Sequence, residues 1–294
     1  MPELPEVETV ARYLRLSLVG REICAVTLTW ARTVARPAPD AFVAALTGTR
    51  ITAVNRRGKF LCFSLASGQT WLTHLRMTGA FFLSPIDEET ETAPEVLRRW
   101  NPDHVRARFR LGDGQGLIFV DMRKFGRFYL VDDPQEMLGD LGPEPLGEGF
   151  TVAWLREALR DRRGEIKRLL LNQHFIAGLG NIYAGEALWR ARIHPRRRAG
   201  SLTATEVRRL HEAIVASLQV ALADGGTTLD DRQYRDPHGR SGDHQAALAV
   251  YDRAGERCPR CGSPIARIVQ GQRSTYFCPV CQPRPPVDGN IAAP

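Results

Sequence analysis

Two short stretches hold residue types at spacings that can do chemistry. The first is "MPELPEVETV", with proline in second place and glutamates at Glu3, Glu6 and Glu8. If Met1 is removed, Pro2 carries a free secondary amine. An α-amine titrates near about 7.7–8.0, well below the lysine value of about 10.4, so a useful fraction is neutral at cellular pH. A neutral amine is a nucleophile, whereas the nitrogen of a mid-chain proline is an amide without a hydrogen. The same residues also suit the first turn of a helix, with Pro5 inside it and the glutamates at the positive end of its dipole. The second stretch is "CPRCGSPIARIVQGQRSTYFCPVC". It sets Cys258, Cys261, Cys278 and Cys281 as two C-x2-C knuckles sixteen residues apart. That spacing fits one tetrahedral Zn2+, and four thiolates leave no open position, so the metal is structural. Two disulfides would need an oxidising compartment, and a redox pair does not come doubled. Gln270, Gln272, Arg273, Ser274 and Thr275 lie between the knuckles, where a hairpin tip is expected.

A third stretch, "IAGLGNIYAGEAL", puts Gly178 and Gly180 ahead of a helix starting near Asn181. Backbone N–H groups at such a helix start bind phosphate. No Lys-Ser/Thr follows, which excludes a nucleotide-binding P-loop. Arg162, Arg163, Lys167, Arg168, Arg190, Arg192, Arg196, Arg197 and Arg198 crowd the same region. They read either as a phosphate-backbone surface or as a solvated face. The whole chain has 294 residues and a net charge of +7, which favours an acidic partner such as nucleic acid. There is no apolar run of membrane-spanning length, and no basic-then-apolar signal layout. A cytoplasmic location is expected. Cys24 and Cys62 stand alone in apolar, strand-like surroundings and read as reduced core residues.

These residues need elements to position them. Val7, Val10, Ala11, Leu14 and Leu18 recur at helical spacing and predict a helix from Pro5 to Gly20. Residues 22 to 131 read as strands. In "HVRARFRL", Val105, Ala107, Phe109 and Leu111 alternate with Arg106, Arg108 and Arg110. Short strands with turn signals predict a sandwich or barrel. The acidic stretch 84–95 reads as a solvated loop. Residues 132–149 are rich in glycine and proline and read as a linker. "TVAWLREALRDRRGEIKRLLLNQ", "NIYAGEALWRA" and "TATEVRRLHEAIVASLQVALADGG" read as helices, and 226–247 as a long loop without period. The resulting division is 1–131, a linker at 132–149, a helical domain at 150–247, a zinc finger at 248–283 and a tail at 284–294.

"PELPEVE", the Gly-Lys at 58–59, "HLRMTG" (74–79), "DMRKFG" (121–126), "GLGNIYAGEAL" and the four-cysteine tail together resemble one family in order and spacing. It is the formamidopyrimidine-DNA glycosylases, bacterial enzymes that remove oxidised purines from DNA. "PELPE" resembles this branch rather than the sister Nei-type oxidised-pyrimidine glycosylases. The resemblance implies an α+β, two-domain fold. Its parts are an N-terminal β-sandwich with an N-terminal helix, a helical domain with a helix-two-turn-helix motif, and a zinc-finger hairpin, with DNA running through the cleft between the domains. It implies a monomer acting on double-stranded DNA that carries an oxidised base or abasic site.

By the same resemblance Pro2 is the nucleophile and Glu3 the general acid and base that helps open the sugar, with Glu6 supporting. Lys59 contacts the lesion phosphate and assists β-elimination, and Arg273 serves phosphate contact and δ-elimination. His74 and Asn181 clamp phosphates; a strand histidine is the other reading of His74. Met77, Arg123 and Phe125 fill the void left by the extruded base, although by type Met77 and Phe125 read as core residues. His104, Arg162 and Lys167 match further DNA contacts. The sequence departs from the family at Asn172, where aspartate is usual, at Met122, often proline, and at "SGDHQ" (241–245), where many relatives carry Gly-Tyr-Phe. Because that loop serves base recognition in the family, a preference for oxidised pyrimidines or further-oxidised guanine is the second reading. A non-catalytic zinc-dependent DNA-binding protein is the third, and intact Pro2, Glu3 and Lys59 oppose it.

Overall fold

The computed structural model describes residues 2–85, 101–229 and 234–284. Met1, most of the acidic 84–95 stretch and nearly all of the tail lie outside these. The chain forms two units, residues 1–140 with 220–246, and residues 141–219 with 247–294. Among the described residues no helix is long and apolar enough to cross a membrane.

The first unit begins with α1 (Leu4–Leu18), whose buried face is the one the periodicity predicts. Strands follow: β1 (Ile23–Leu28), β2 (Val34–Arg36), β3 (Ile51–Arg57), β4 (Phe60–Leu65), β5 (Thr70–His74), β6 (Gly79–Pro85), β7 (Val105–Leu111), β8 (Gln115–Asp121) and β9 (Arg127–Val131). They make a four-stranded sheet in the order β1-β7-β8-β6 and a five-stranded sheet in the order β2-β9-β5-β4-β3. Pairing is antiparallel except between β2 and β9. The two sheets share one core. Trp71 stacks on Phe63 with ring centroids 4.3 Å apart, and Phe119 and Phe128 meet at 4.8 Å. Such offset and tilted aromatic pairs add to simple area burial.

Two expectations need correction. The stretch read as strands alone also contains a helix, α2 (Pro39–Leu46), started by Pro39 at its first turn and burying Phe42 and Leu46. In β7 the alternation holds from Ala107 onward but breaks before it. A bulge sets Val105 and Arg106 opposite one partner residue, since Val105 pairs Val120 and Ala107 pairs Phe119. Val105 therefore packs with Phe82 and Ile118 on the outer face, while Ala107 and Phe109 join the inner core. Arg106 is buried, donating through Nε to the Asp121 carbonyl at 2.8 Å.

After α3 (Gln135–Leu138), the second unit holds α4 (Val152–Leu159), α5 (Ile166–Leu170), α6 (Asn181–Arg190) and most of α7 (Ala204–Ala223). The single helix expected over "TVAWLREALRDRRGEIKRLLLNQ" is two. Asp161 takes a left-handed φ of 60°, and Glu165 bridges to Arg198, so α5 starts as a separate helix. The two turns between α5 and α6 are stapled by one side chain. Gln173 donates to the Leu179 carbonyl at 2.8 Å and accepts from Gly178 N–H at 2.9 Å. The hairpin is β10 (Ala266–Gln270) with β11 (Arg273–Phe277). Its two-residue loop, Gly271–Gln272, has φ of 52° and 63°, the left-handed pair that a tight primed turn requires.

Candidate active site

Helix α1 lies along β3 in a register that brings its N-terminus to the β3–β4 turn. Arg15 Nε donates to the Val54 carbonyl at 2.7 Å, and Arg56 Nε to Glu8 Oε2 at 3.0 Å. Moving toward the start of α1 thus moves toward the end of β3, and the next residues are Pro2 and Glu3 on one side, Gly58 and Lys59 on the other. Gly58 carries φ 57° in the two-residue hairpin loop, which points Lys59 from a fixed turn. Pro2, Glu3, Glu6 and Lys59 are all buried.

Glu6 organises the N-terminus. Its Oε2 accepts from Glu3 N–H at 2.8 Å, and its Oε1 from Thr227 N–H at 2.8 Å. A buried carboxylate holding two backbone donors satisfies a helix start and a loop together. Gly226 allows this approach: φ is +87°, and a Cβ there would come within 3.0 Å of Glu6. Tyr234 donates to the Gly225 carbonyl at 3.0 Å. Its hydroxyl pKa is raised well above the usual value, first by burial and then by the Glu6 charge.

His74 pairs across β4–β5 with Phe60, next to the Lys59 turn. Its Nδ1 accepts from Arg76 N–H at 2.9 Å. A ring nitrogen that accepts is unprotonated, so the neutral ring presents Nε2–H as a donor. Burial, then the nearby Arg76 and Lys59 charges, lower its pKa to about 3. His74 is thus a neutral hydrogen-bond donor rather than a cation.

Strand order places two loops at the same end. One follows His74 and carries Met77; the other joins β8 to β9 and carries Arg123 and Phe125. The three side chains meet: the Arg123 guanidinium sits 4.8 Å from the Phe125 ring centroid and donates to Met77 Sδ at 2.9 Å. Met77 and Phe125 are 39% and 46% exposed, so neither is the core residue its type suggests. Asp121, not singled out from sequence, holds both loops. It is buried and accepts from Thr78 Oγ1, from Arg123 N–H at 3.2 Å and from Gly126 N–H at 2.7 Å. His104 ends a short turn just before β7.

The remaining expected residues are in the second unit. Arg162 and Arg273 are exposed, Arg273 at the hairpin's first β11 position. Arg162, Arg163 and Arg168 line one concavity with Asn172. Asn181, the first residue of α6, donates to the Ser274 carbonyl at 3.0 Å. Lys167, expected among the DNA contacts, is 1% exposed and donates to Thr275 Oγ1 at 2.7 Å. Asn181 and Lys167 thus both fix the hairpin that bears Arg273. Glu186, also unremarked in the sequence, is buried and accepts from the N–H groups of Ala249, Val250 and Tyr251 at 2.8–2.9 Å, anchoring the chain that leads into the finger.

The four cysteine sulfurs lie within 4.8 Å of one another. Cys258–Cys281 is 3.9 Å and Cys261–Cys278 is 3.5 Å. A tetrahedron with Zn–S bonds of about 2.3 Å has edges of about 3.8 Å, so the donor set fits one structural Zn2+. Trp189 Nε1 donates to Cys258 Sγ at 3.4 Å, a partner suited to a thiolate.

Comparison with known proteins covers the same parts. Residues 1–128 match the formamidopyrimidine-DNA glycosylase N-terminal domain, 141–233 its H2TH domain, and 255–284 the zinc finger found in FPG and IleRS. The formamidopyrimidine-DNA glycosylase of Chloroflexus aurantiacus is 49% identical over 96% of this chain and 98% of its own. The crystal structure of the MutM (Fpg) protein from Thermus thermophilus superimposes with a TM-score of 0.84 at 42% identity, covering 97% of this chain and 100% of that one. The Lactococcus lactis Fpg in complex with abasic-site DNA gives 0.85 at 37% identity, covering 96% and 100%. From end to end, this chain belongs to the formamidopyrimidine-DNA glycosylase family.

Proposed function

We propose that this protein is a bifunctional glycosylase and abasic-site lyase of base excision repair, acting on oxidised purines (8-oxoguanine and formamidopyrimidines) in double-stranded DNA in the bacterial cytoplasm. The observation that carries the reading is the shared end of the sandwich. There the N-terminus with its Glu6 clamp, the Lys59 turn and the neutral donor His74 stand with the exposed Met77–Arg123–Phe125 group.

The damaged nucleotide leaves the stack. Phe125 wedges into the gap, Met77 fills the space, and Arg123 reads the orphaned cytosine. Once Met1 is removed, the neutral Pro2 amine attacks C1′, and the bond from C1′ to the base breaks with the base as leaving group. Glu3 takes the proton that the attacking nitrogen sheds and passes it to the sugar ring oxygen, so the ring opens and the nitrogen becomes a C1′ iminium. That cation withdraws electrons, so a C2′ proton leaves and the 3′ phosphate is expelled. Loss of a second proton expels the 5′ phosphate. Water then hydrolyses the iminium and restores the amine. Lys59, His74, Asn181 and Arg273 serve the phosphates, and Arg162 and His104 extend the contact with the backbone.

The test is strand cleavage of a lesion panel by the full chain and by Pro2→Gly. Cleavage is expected for 8-oxoguanine opposite cytosine and for abasic duplexes, with the variant down at least about a hundredfold on both. Preference for oxidised pyrimidines would move the base specificity to the second reading. Binding without cleavage by a chain lacking Met1 would leave only a DNA-binding protein.

A further inference from the structure

The loop in which this chain departs from its family and the end of α7 each bring one titratable side chain that the chemistry above does not use. His244 is 2% exposed, and its Nδ1 lies 2.7 Å from Asp224 Oδ2. Asp224 follows the last residue of α7 directly. The backbones of the two segments run together: Asp243 N–H donates to the Asp224 carbonyl at 3.0 Å, His244 N–H to the Gly226 carbonyl at 3.1 Å, and Thr227 bridges Asp243. This closeness needs Gly242, where a Cβ would stand 2.2 Å from the Gly226 oxygen. Gly242 N–H further donates to Thr228 Oγ1 at 2.9 Å. The side-chain pair thus closes a clasp whose inner turn, Gly225–Thr227, is the one that rests on Glu6.

We propose that Asp224 and His244 are positioning residues for the N-terminal site. By closing the clasp they hold Thr227 N–H on one oxygen of Glu6. The other oxygen holds Glu3 N–H, and Pro2 is the next residue. Neither member touches a reacting atom. Their effect falls on how often the amine and Glu3 stand ready to react, and hence on rate at saturation rather than on affinity for DNA. The inference deepens the proposed function and rests on it.

The experiment is single-turnover borohydride trapping on a saturating abasic duplex, with dissociation constants measured alongside. His244→Phe keeps a ring without a donor. His244→Asn keeps an N–H near the place of Nδ1. Asp224→Ala removes the acceptor. Expected is a loss of about tenfold in trapping rate for His244→Phe and for Asp224→Ala, with no further loss in the double variant. His244→Asn should recover most of that loss, and DNA affinity should stay within about twofold throughout. If His244→Phe does not fold, Asp224→Ala against His244→Asn decides. Wild-type rates in every variant, additive losses, or weakened affinity at unchanged rate would each overturn the clasp while leaving the lyase standing. Failure of the wild-type chain to trap would remove the lyase reading and the clasp with it.

Discussion

His74 enters the site as a neutral ring because its surroundings penalise charge from two directions, burial and neighbouring cations. The sign of the linkage follows. Above about pH 6.5 neither folded nor unfolded chain protonates this histidine. As pH falls from there toward about 3, the unfolded chain takes up the proton and the folded chain does not, so stability declines. The ring should therefore keep its Nε2–H tautomer at pH 5, as read from imidazole 15N shifts. His74→Asn, which keeps an acceptor for Arg76 N–H, should lose less stability than wild type between pH 6.5 and 4. An imidazolium spectrum at pH 5 would contradict this. The zinc site was legible because paired C-x2-C knuckles are unusual by type and spacing alone, and proline second in the chain marked a candidate nucleophile in the same way. Asp121 and Gly226 were not. Asp121 opens a quoted motif, but its hold on the other loop through Thr78, like the approach of Gly226 to Glu6, is brought about only by the fold.

At the scale of elements, α1 was readable because five apolar residues at helical spacing leave one face to bury. Helix α2 was hidden in strand-rich surroundings by its short length and its Phe-Val pair. The break between α4 and α5 was masked because the left-handed residue is Asp161, not the lone Gly164 three residues on, and a single glycine in a polar run does not end a helical pattern. The bulge in β7 lay beyond pattern reading, because an alternating strand gives no sign of which residue will be doubled. The helix-two-turn-helix yields a direct expectation. Gln173 bridges Leu171, Gly178 and Leu179 through its amide, so Gln173→Ala removes three hydrogen bonds to partly buried backbone groups. A loss of about 1–3 kcal/mol in urea unfolding is expected. An unchanged midpoint would show that the turns hold themselves.

For the whole molecule, the zinc is a folding element rather than a reagent. Three of its ligands, Cys258, Cys278 and the partly buried Cys281, pack with the buried Val250 and Ile265 as the small core beneath the hairpin. Such a core is too small to persist without its metal. The purified chain should contain one zinc. Thiol-directed removal should abolish DNA binding by unfolding the hairpin that presents Arg273. Full binding by metal-free chain would contradict this. The charge of +7 carries a second expectation, affinity that falls steeply with added salt, as neutralised phosphates demand.

The central claim is that the attacking nitrogen belongs to Pro2. The most direct measurement is peptide mapping by mass spectrometry of the borohydride-reduced covalent complex formed on an abasic duplex. The sugar remnant is expected on an N-terminal peptide that begins at Pro2, with Met1 absent. A remnant on Lys59, or on a peptide that retains Met1, would contradict it.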